Sequence, residues 1–204
     1  MIILGLTGSI GMGKTTAARA FRRLGIPTHD ADAAVHAVTR AGGEAVPLVR
    51  ARFPDAVVGG AVDRARLGEA VFDDPAALAE LEAILHPIVR RWRDRFLKFN
   101  SAAGRRLVVL DIPLLFETGG DRNCDAVAVV SAPAFLQRIR VMSRPGMTEE
   151  KFAGILARQM PDGEKRRRAD FVISTGLGRE FSLRQIRNVV RLAGDLTPGK
   201  WPPK

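Results

Sequence analysis

Gly8-Ser9-Ile10-Gly11-Met12-Gly13-Lys14-Thr15 lies between an apolar run, Ile2-Ile3-Leu4-Gly5-Leu6, and a helix-forming run, Thr16-Ala17-Ala18-Arg19-Ala20-Phe21. The stretch fits G-x-x-x-x-G-K-[ST] in its required setting, a buried strand before and a helix after. Glycines let the backbone wrap closely around phosphates, and the helix that follows adds the positive end of its dipole. Backbone groups of Gly11, Met12, Gly13, Lys14, Thr15 and Thr16 are therefore the candidate phosphate ligands. Lys14 supplies a point charge for the β- and γ-phosphates, and the Thr15 hydroxyl is the candidate ligand of a phosphate-bound Mg²⁺. A glycine-rich turn that binds nothing is the bland alternative, and the strand-to-helix context disfavours it.

Composition narrows the class. At 204 residues, 46% hydrophobic and 26% charged, the chain suits one α/β core with insertions rather than a disordered polymer. No apolar run approaches the roughly 18 residues that span a bilayer, and the N-terminus enters a strand without a basic leader, so a cytoplasmic protein with no membrane partner is expected. A single cysteine, Cys124, excludes an intramolecular disulfide framework, and three scattered histidines, His29, His36 and His86, have no transition-metal spacing. A net charge of +10 calls for a polyanionic partner, either a phosphate-rich small molecule or nucleic acid. Basic residues cluster at Arg90, Arg91, Arg93, Arg95 and Lys98, at Arg105-Arg106 and at Lys165-Arg166-Arg167-Arg168. Few aromatics interleave these runs, which read largely as solvated faces, so no nucleic-acid partner is expected. A monomer is expected.

Along the chain, Gly25 is placed to end the first helix and Pro27 to stop its continuation. A short extended segment then delivers Asp30-Ala31-Asp32, at the carboxyl-end side where open α/β sheets bind ligands. Residues 33–100 read as mostly helical, over 33–40, 44–52, 64–71 and 75–85, with Asp74-Pro75 as an N-cap and N1 pair. A further helix is predicted over 87–99, its apolar stripe formed by Ile88, Val89, Trp92, Phe96 and Phe99. This insertion exceeds what a crossover needs, which predicts a helical substrate subdomain. Leu107-Val108-Val109-Leu110-Asp111 has the form of a Walker B strand, and 126–130 and 170–174 are the next buried-type strands. A helix from Ala132-Pro133 toward Arg144, a break at 144–147 and a helix capped by Thr148 predict a mobile lid. A closing helix is expected over 181–192.

No guanine-reading N-K-x-D is present, and no D-x-x-G follows the phosphate loop, which disfavours GTPases. The ordered set Leu6-Thr7-Gly8-Ser9-Ile10-Gly11-Met12-Gly13-Lys14-Thr15-Thr16, Asp30-Ala31-Asp32, Leu85-His86-Pro87, Asp111-Ile112-Pro113-Leu114-Leu115-Phe116-Glu117, Gln159-Met160 and Ala169-Asp170-Phe171-Val172-Ile173 resembles the dephospho-CoA kinase family. The resemblance spans residues 1–192. It implies ATP-dependent phosphorylation of the ribose 3′-hydroxyl of dephospho-CoA, with Mg²⁺, on a P-loop nucleoside-kinase-like α/β fold: a parallel sheet flanked by helices, with a helical substrate-binding insertion and a helical lid. The implied organisation is a nucleotide-binding core of 1–32, 101–134 and 169–196, a CoA-substrate subdomain of 33–100, a lid of 135–168 and a flexible tail of 197–204. Asp32 matches the family's general base, although an N-cap role is compatible with its position, and Asp30 could exchange roles with it. Arg140 matches the lid arginine, and Arg144, four residues on, is expected on the same helix face as a second phosphate donor. His86, Asp111 and Leu114 join Asp32 as implied substrate contacts. Two departures stand out: Pro145 where the family commonly has an acid, and Ser174-Thr175-Gly176 where it often has an asparagine before glycines. The alternative class is a P-loop ATPase whose basic surface binds nucleic acid.

Overall fold

In the computed structural model, residues 1–72 and 74–202 are described. Seven strands and nine α-helices follow one another among them as β1 (Ile2–Thr7), α1 (Lys14–Arg23), β2 (Thr28–Asp30), α2 (Ala31–Thr39), α3 (Val46–Arg52), β3 (Val57–Val58), β4 (Ala61–Val62), α4 (Arg64–Phe72) and α5 (Pro75–Ala102). The chain continues through β5 (Leu107–Asp111), β6 (Ala126–Ser131), α6 (Ala134–Met142), α7 (Glu149–Ala157), α8 (Asp162–Arg168), β7 (Phe171–Ser174) and α9 (Arg179–Gly194). Two compact units result, one of residues 1–29 and 100–204, the other of residues 30–99.

The first unit is built on a five-stranded sheet in the order β2-β5-β1-β6-β7. β1 pairs in parallel with β5 and with β6, and β6 in parallel with β7. Strands covered on both faces need apolar residues at every position, which is why β1, β5 and β6 read as continuous hydrophobic runs. Side-chain alternation sends Ile2, Leu4, Leu6, Leu107, Val109, Ala128 and Val130 to one face, against Ala17, Ala18 and Phe21 of α1 and Ile186, Val189 and Ala193 of α9. Ile3, Val108, Leu110, Val127 and Val129 take the opposite face and are also buried. A parallel sheet directs all its carboxyl ends one way, so the connections after β1, β5 and β7 emerge at one edge.

Asp125 anchors the amino end of the sheet. Its Oδ2 accepts from the Ile3 amide at 2.7 Å, while its Oδ1 accepts from the amides of Gly199 and Lys200 at 2.7 and 2.9 Å. The segment expected to be a loose tail is thus tied at that point; Pro203 and Lys204 lie outside the described residues.

The second unit has its own core, in which Val38, Val46, Val49, Phe53, Leu67, Leu81 and Ile88 pack together. Asp74 caps α5 as expected, accepting from the Ala76 and Ala77 amides at 2.9 Å, with Pro75 at N1. One expectation for this region is corrected. The helices expected over 75–85 and 87–99 are one helix, with Pro87 inside it. Proline removes one helical donor, and the carbonyl four residues earlier belongs to exposed Ala83, where water can replace it. The region is otherwise mostly helical as expected, and between the helices Gly59-Gly60 turns β3 into β4 as an antiparallel hairpin. Of the expected apolar stripe, Ile88 is buried but Phe99 is 74% exposed. On α5, Arg91 and Arg95 are exposed and both pair with Glu44, which also accepts from the Trp92 indole at 2.7 Å.

The end of α1 follows the expected glycine stop. Gly25 has φ of +77°, its amide donates to Arg22, and the Ile26 amide reaches back to Phe21. Those two bonds are the Schellman pattern, which requires a left-handed residue at Gly25. A methyl group there would meet nothing within 4 Å, so Gly25→Ala tests backbone strain alone. It is expected to cost about 1–2 kcal/mol, read as a lower midpoint in urea with an unchanged slope.

Candidate active site

The turn from β1 into α1 places Gly13 at the N-cap with φ of +93°, a conformation open to glycine and costly for other residues. No side chain caps the helix; the Thr16 amide donates to the Gly13 carbonyl at 3.0 Å, and for the Lys14 and Thr15 amides ahead of it an anion is the partner that the helix dipole favours. Lys14, the first helical residue, places Nζ 2.6 Å from Oδ1 of Asp111. Register explains the meeting: Leu6 of β1 lies beside Asp111 at the end of β5, so both strands stop at the same level. Asp111 is 3% exposed, and a buried carboxylate needs such a cation. Thr15 and Thr16 are exposed on the first turn, whereas the Met12 side chain is buried, with its sulfur accepting from the Ala132 amide. The Met12 amide in turn donates to the Ser9 carbonyl at 3.1 Å, so the Met12 backbone is engaged within the loop as well.

Turning amides toward a ligand turns carbonyls away from it, and those carbonyls need donors. Three successive ones are met by side chains distant in sequence. The Ile10 carbonyl accepts from Gln137 Nε2 at 2.8 Å, the Gly11 carbonyl from Arg140 Nη1 at 3.4 Å, and the Met12 carbonyl from the Thr175 hydroxyl at 2.6 Å. The Ile10 amide donates to Gln159 Oε1 at 3.0 Å. Arg140 is held further by Thr175, through Nη1 to its hydroxyl at 3.0 Å and Nη2 to its carbonyl at 2.8 Å. Beside this lattice a cavity of about 440 Å³ is lined by Gly13, Ala17, Arg140, Thr175, Leu183 and Ile186 among others. That volume falls within the roughly 300–1,000 Å³ typical of small-molecule sites.

The segment 158–168 is pinned to the loop after β5. Burial pushes the Glu117 carboxyl up, but the Lys165 ammonium and the Met160 amide outweigh it and hold the group below the ordinary glutamate range. Lys165 is fully buried with Nζ 2.8 Å from Glu117, and the Met160 amide donates to the same carboxylate at 2.8 Å. Arg168 pairs with Asp121 at 3.1 Å and lies over the Phe116 ring at 4.5 Å. The basic run 165–168, read as a solvated face, is therefore corrected at Lys165, while Arg168 stays exposed beside its partners.

The structure brings Gly11, Met12, Gly13, Lys14, Thr15, Thr16, Asp111 and Arg140 together in the first unit. Leu114, 39% exposed, follows β5 in the same unit. Arg144 does not share a helix face with Arg140, because α6 ends at Met142 and Arg144 is exposed in the turn beyond its cap. Asp32 and His86 belong to the second unit, both exposed, on α2 and α5. The N-cap of α2 is Asp30, whose Oδ1 accepts from the Ala33 amide at 3.0 Å. Asp32 is instead in the first turn, so the two acids do not sit together on an extended strand. Sequence reasoning missed Gln137, Thr175, Glu117 and Lys165 as site supports. Gln159 and Glu117 lay within quoted motifs, but nothing local indicates what they bind.

Sheet order, phosphate loop and lysine–aspartate pair define a P-loop kinase. A solved structure of dephospho-CoA kinase from Campylobacter jejuni shares this fold with TM-score 0.64 at 24% identity, covering 94% of this chain and 96% of that one. The chain belongs to the dephospho-CoA kinase family, whose model matches residues 2–178. A dephospho-CoA kinase of Mesorhizobium japonicum is 57% identical over 190 residues, 93% of this chain and 95% of that protein. A Thermus thermophilus crystal structure matches with TM-score 0.83 and 40% identity over 97% of this chain and 98% of that one.

Breaking one partner of a buried ion pair leaves the other charge uncompensated, at a cost of about 3–5 kcal/mol. Glu117→Gln is expected to destabilise by that order in thermal melts, and Glu117→Gln combined with Lys165→Met to recover much of it. Because the folded glutamate titrates below its unfolded value, its contribution is present above the unfolded pKa and is lost as pH falls through the folded one. The wild-type advantage over Glu117→Gln should accordingly shrink in acid.

Proposed function

We propose that this protein transfers the γ-phosphoryl group of ATP to the ribose 3′-hydroxyl of dephospho-CoA, giving coenzyme A and ADP. The observation that carries the reading is the phosphate loop, with Lys14 against Asp111, beside a cavity of nucleotide size, in a chain of this family. The base and sugar of ATP are assigned to the cavity between α1, Arg140 and α9, and its phosphates to the amides at the start of α1. No helix among the described residues is long and apolar enough to cross a membrane. Work in the cytoplasm, as a monomer and without nucleic acid, belongs to the same proposal. The comparisons give the nucleic-acid alternative no support.

Asp32 is the proposed base. Its carboxylate orients the acceptor hydroxyl and takes its proton as the oxygen bonds to the γ-phosphorus, and the bond from that phosphorus to the β,γ-bridging oxygen breaks with its electrons leaving on ADP. Lys14 and Arg140 supply positive charge to the transferring group, and a cationic site of this kind acts mainly by electrostatic stabilisation. His86, Asp111 and Leu114 are proposed on the acceptor side, Arg144 as a further phosphate donor and 135–168 as the lid. The available ligands beside the loop are hard oxygens, the Thr15 hydroxyl and the Asp111 carboxylate, which suit Mg²⁺. Thr15 would hold the ion, which when bound neutralises charge on the β- and γ-phosphates.

The test is transfer of labelled γ-phosphate from ATP to dephospho-CoA, with a mixed oligonucleotide as the competing acceptor. Asp32→Asn should lower kcat by about 10²- to 10⁴-fold with ATP binding little changed. Asp32 is not the cap of α2, so a folding defect does not account for such a loss. Asp30→Asn, which alters the cap itself, should lose stability more than rate. A near wild-type rate in Asp32→Asn would remove the base assignment, and near wild-type turnover in Lys14→Ala would remove the phosphate-loop assignment with it.

A further inference from the structure

We infer that Thr175 is a positioning residue for nucleotide binding, one that locks the back of the phosphate loop and the Arg140 guanidinium into a single arrangement. The inference rests on the ATP reading above. Thr175 follows β7 directly, and its amide donates to the Ser131 carbonyl at 2.9 Å, so its backbone extends the ladder with β6. A threonine hydroxyl has one proton to give and lone pairs to receive with. Here the proton goes to the Met12 carbonyl at 2.6 Å, and Arg140 Nη1 donates back to the oxygen at 3.0 Å. The second arm of the guanidinium takes the Thr175 carbonyl at 2.8 Å. One residue therefore holds both arms of the fork and the Met12 carbonyl, next to the Gly11 carbonyl to which the fork itself donates.

Three further facts give this arrangement consequence. Met12 is 2% exposed, so its carbonyl has little recourse to water if the hydroxyl is removed. Gly13, the helix cap that opens the anion site, lies against the same side chain: a Cβ there would fall 3.1 Å from Thr175 Oγ1 and 3.2 Å from Cγ2. Arg140 and Thr175 both line the nucleotide-sized cavity, so a shift in either changes its wall. A β-branched side chain is stiff at χ1, which suits a hydroxyl that must face two partners at once.

The full-length protein carrying Thr175→Val, which keeps the shape and removes the hydroxyl, tests this. ATP affinity by calorimetry should fall about tenfold, the effect of one buried group left unsatisfied. The KM for dephospho-CoA should stay at the wild-type value. Thr175→Ser, which restores the hydroxyl, should lie within about threefold of wild type for ATP. Combined with Arg140→Met, Thr175→Val should cost less than the product of the two single effects, because the residues act as one unit. Should the valine variant fail to fold, Thr175→Ala carries the same expectations. Wild-type ATP affinity in Thr175→Val, a serine variant as weak as valine, or fully multiplicative effects with Arg140→Met would each overturn the inference while leaving the kinase reading intact. Failure of the wild-type protein to bind ATP would instead remove both.

Discussion

A backbone that aims its amides at one point must aim its carbonyls elsewhere, and in this protein that constraint organises the nucleotide-binding unit. The loop 8–15 is tight and half of its residues are buried, so its carbonyls cannot all fall back on water. Ile10, Gly11 and Met12 are met by Gln137, Arg140 and Thr175, drawn from α6 and from the end of β7. Gln137 and Arg140 share one helix, and Thr175 directly follows a strand of the sheet. Loop geometry is thereby a property of the whole unit, and a cradle for phosphate is held in shape before any phosphate arrives. Preorganised donors of this kind cost no rearrangement at the moment of reaction.

Electrostatics follow the same plan. Asp111 is nearly buried at the end of a central strand, and Lys14 neutralises it across the gap between β5 and α1. A phosphate entering the loop offers the ammonium a second anionic partner, while hard oxygen ligands remain beside it. Farther from the loop, Lys165 and Glu117 form a second buried pair, and the same glutamate holds the Met160 amide. Gln159, the neighbour of Met160, accepts from the Ile10 amide. The segment after α7 is thus tied at one point to the motif that follows β5 and at the next residue to the phosphate loop. Bonds of both kinds couple elements that the chain separates widely.

What the sequence determined by itself was local. Glycine spacing identified the phosphate loop because only a few backbone conformations let a strand turn into a helix around an anion. Continuous apolar runs identified β1, β5 and β6, since both faces of a central parallel strand are covered. Gly25, Asp74-Pro75 and Thr148 marked helix ends because capping is decided within four residues. The ordered motifs were enough to suggest the family, and with it the acids Asp32 and Asp111. Tertiary structure alone decided which carbonyl meets which donor, since Ile10 and Gln137 are 127 residues apart and Met12 and Thr175 are 163 apart. It also decided that Lys165, set in a run of arginines, is buried rather than solvated, that α5 continues through Pro87, and that Arg144 falls beyond the helix carrying Arg140. In each case the outcome depends on what lies across the chain at contact distance, and spacing along one strand or helix carries no information about that partner.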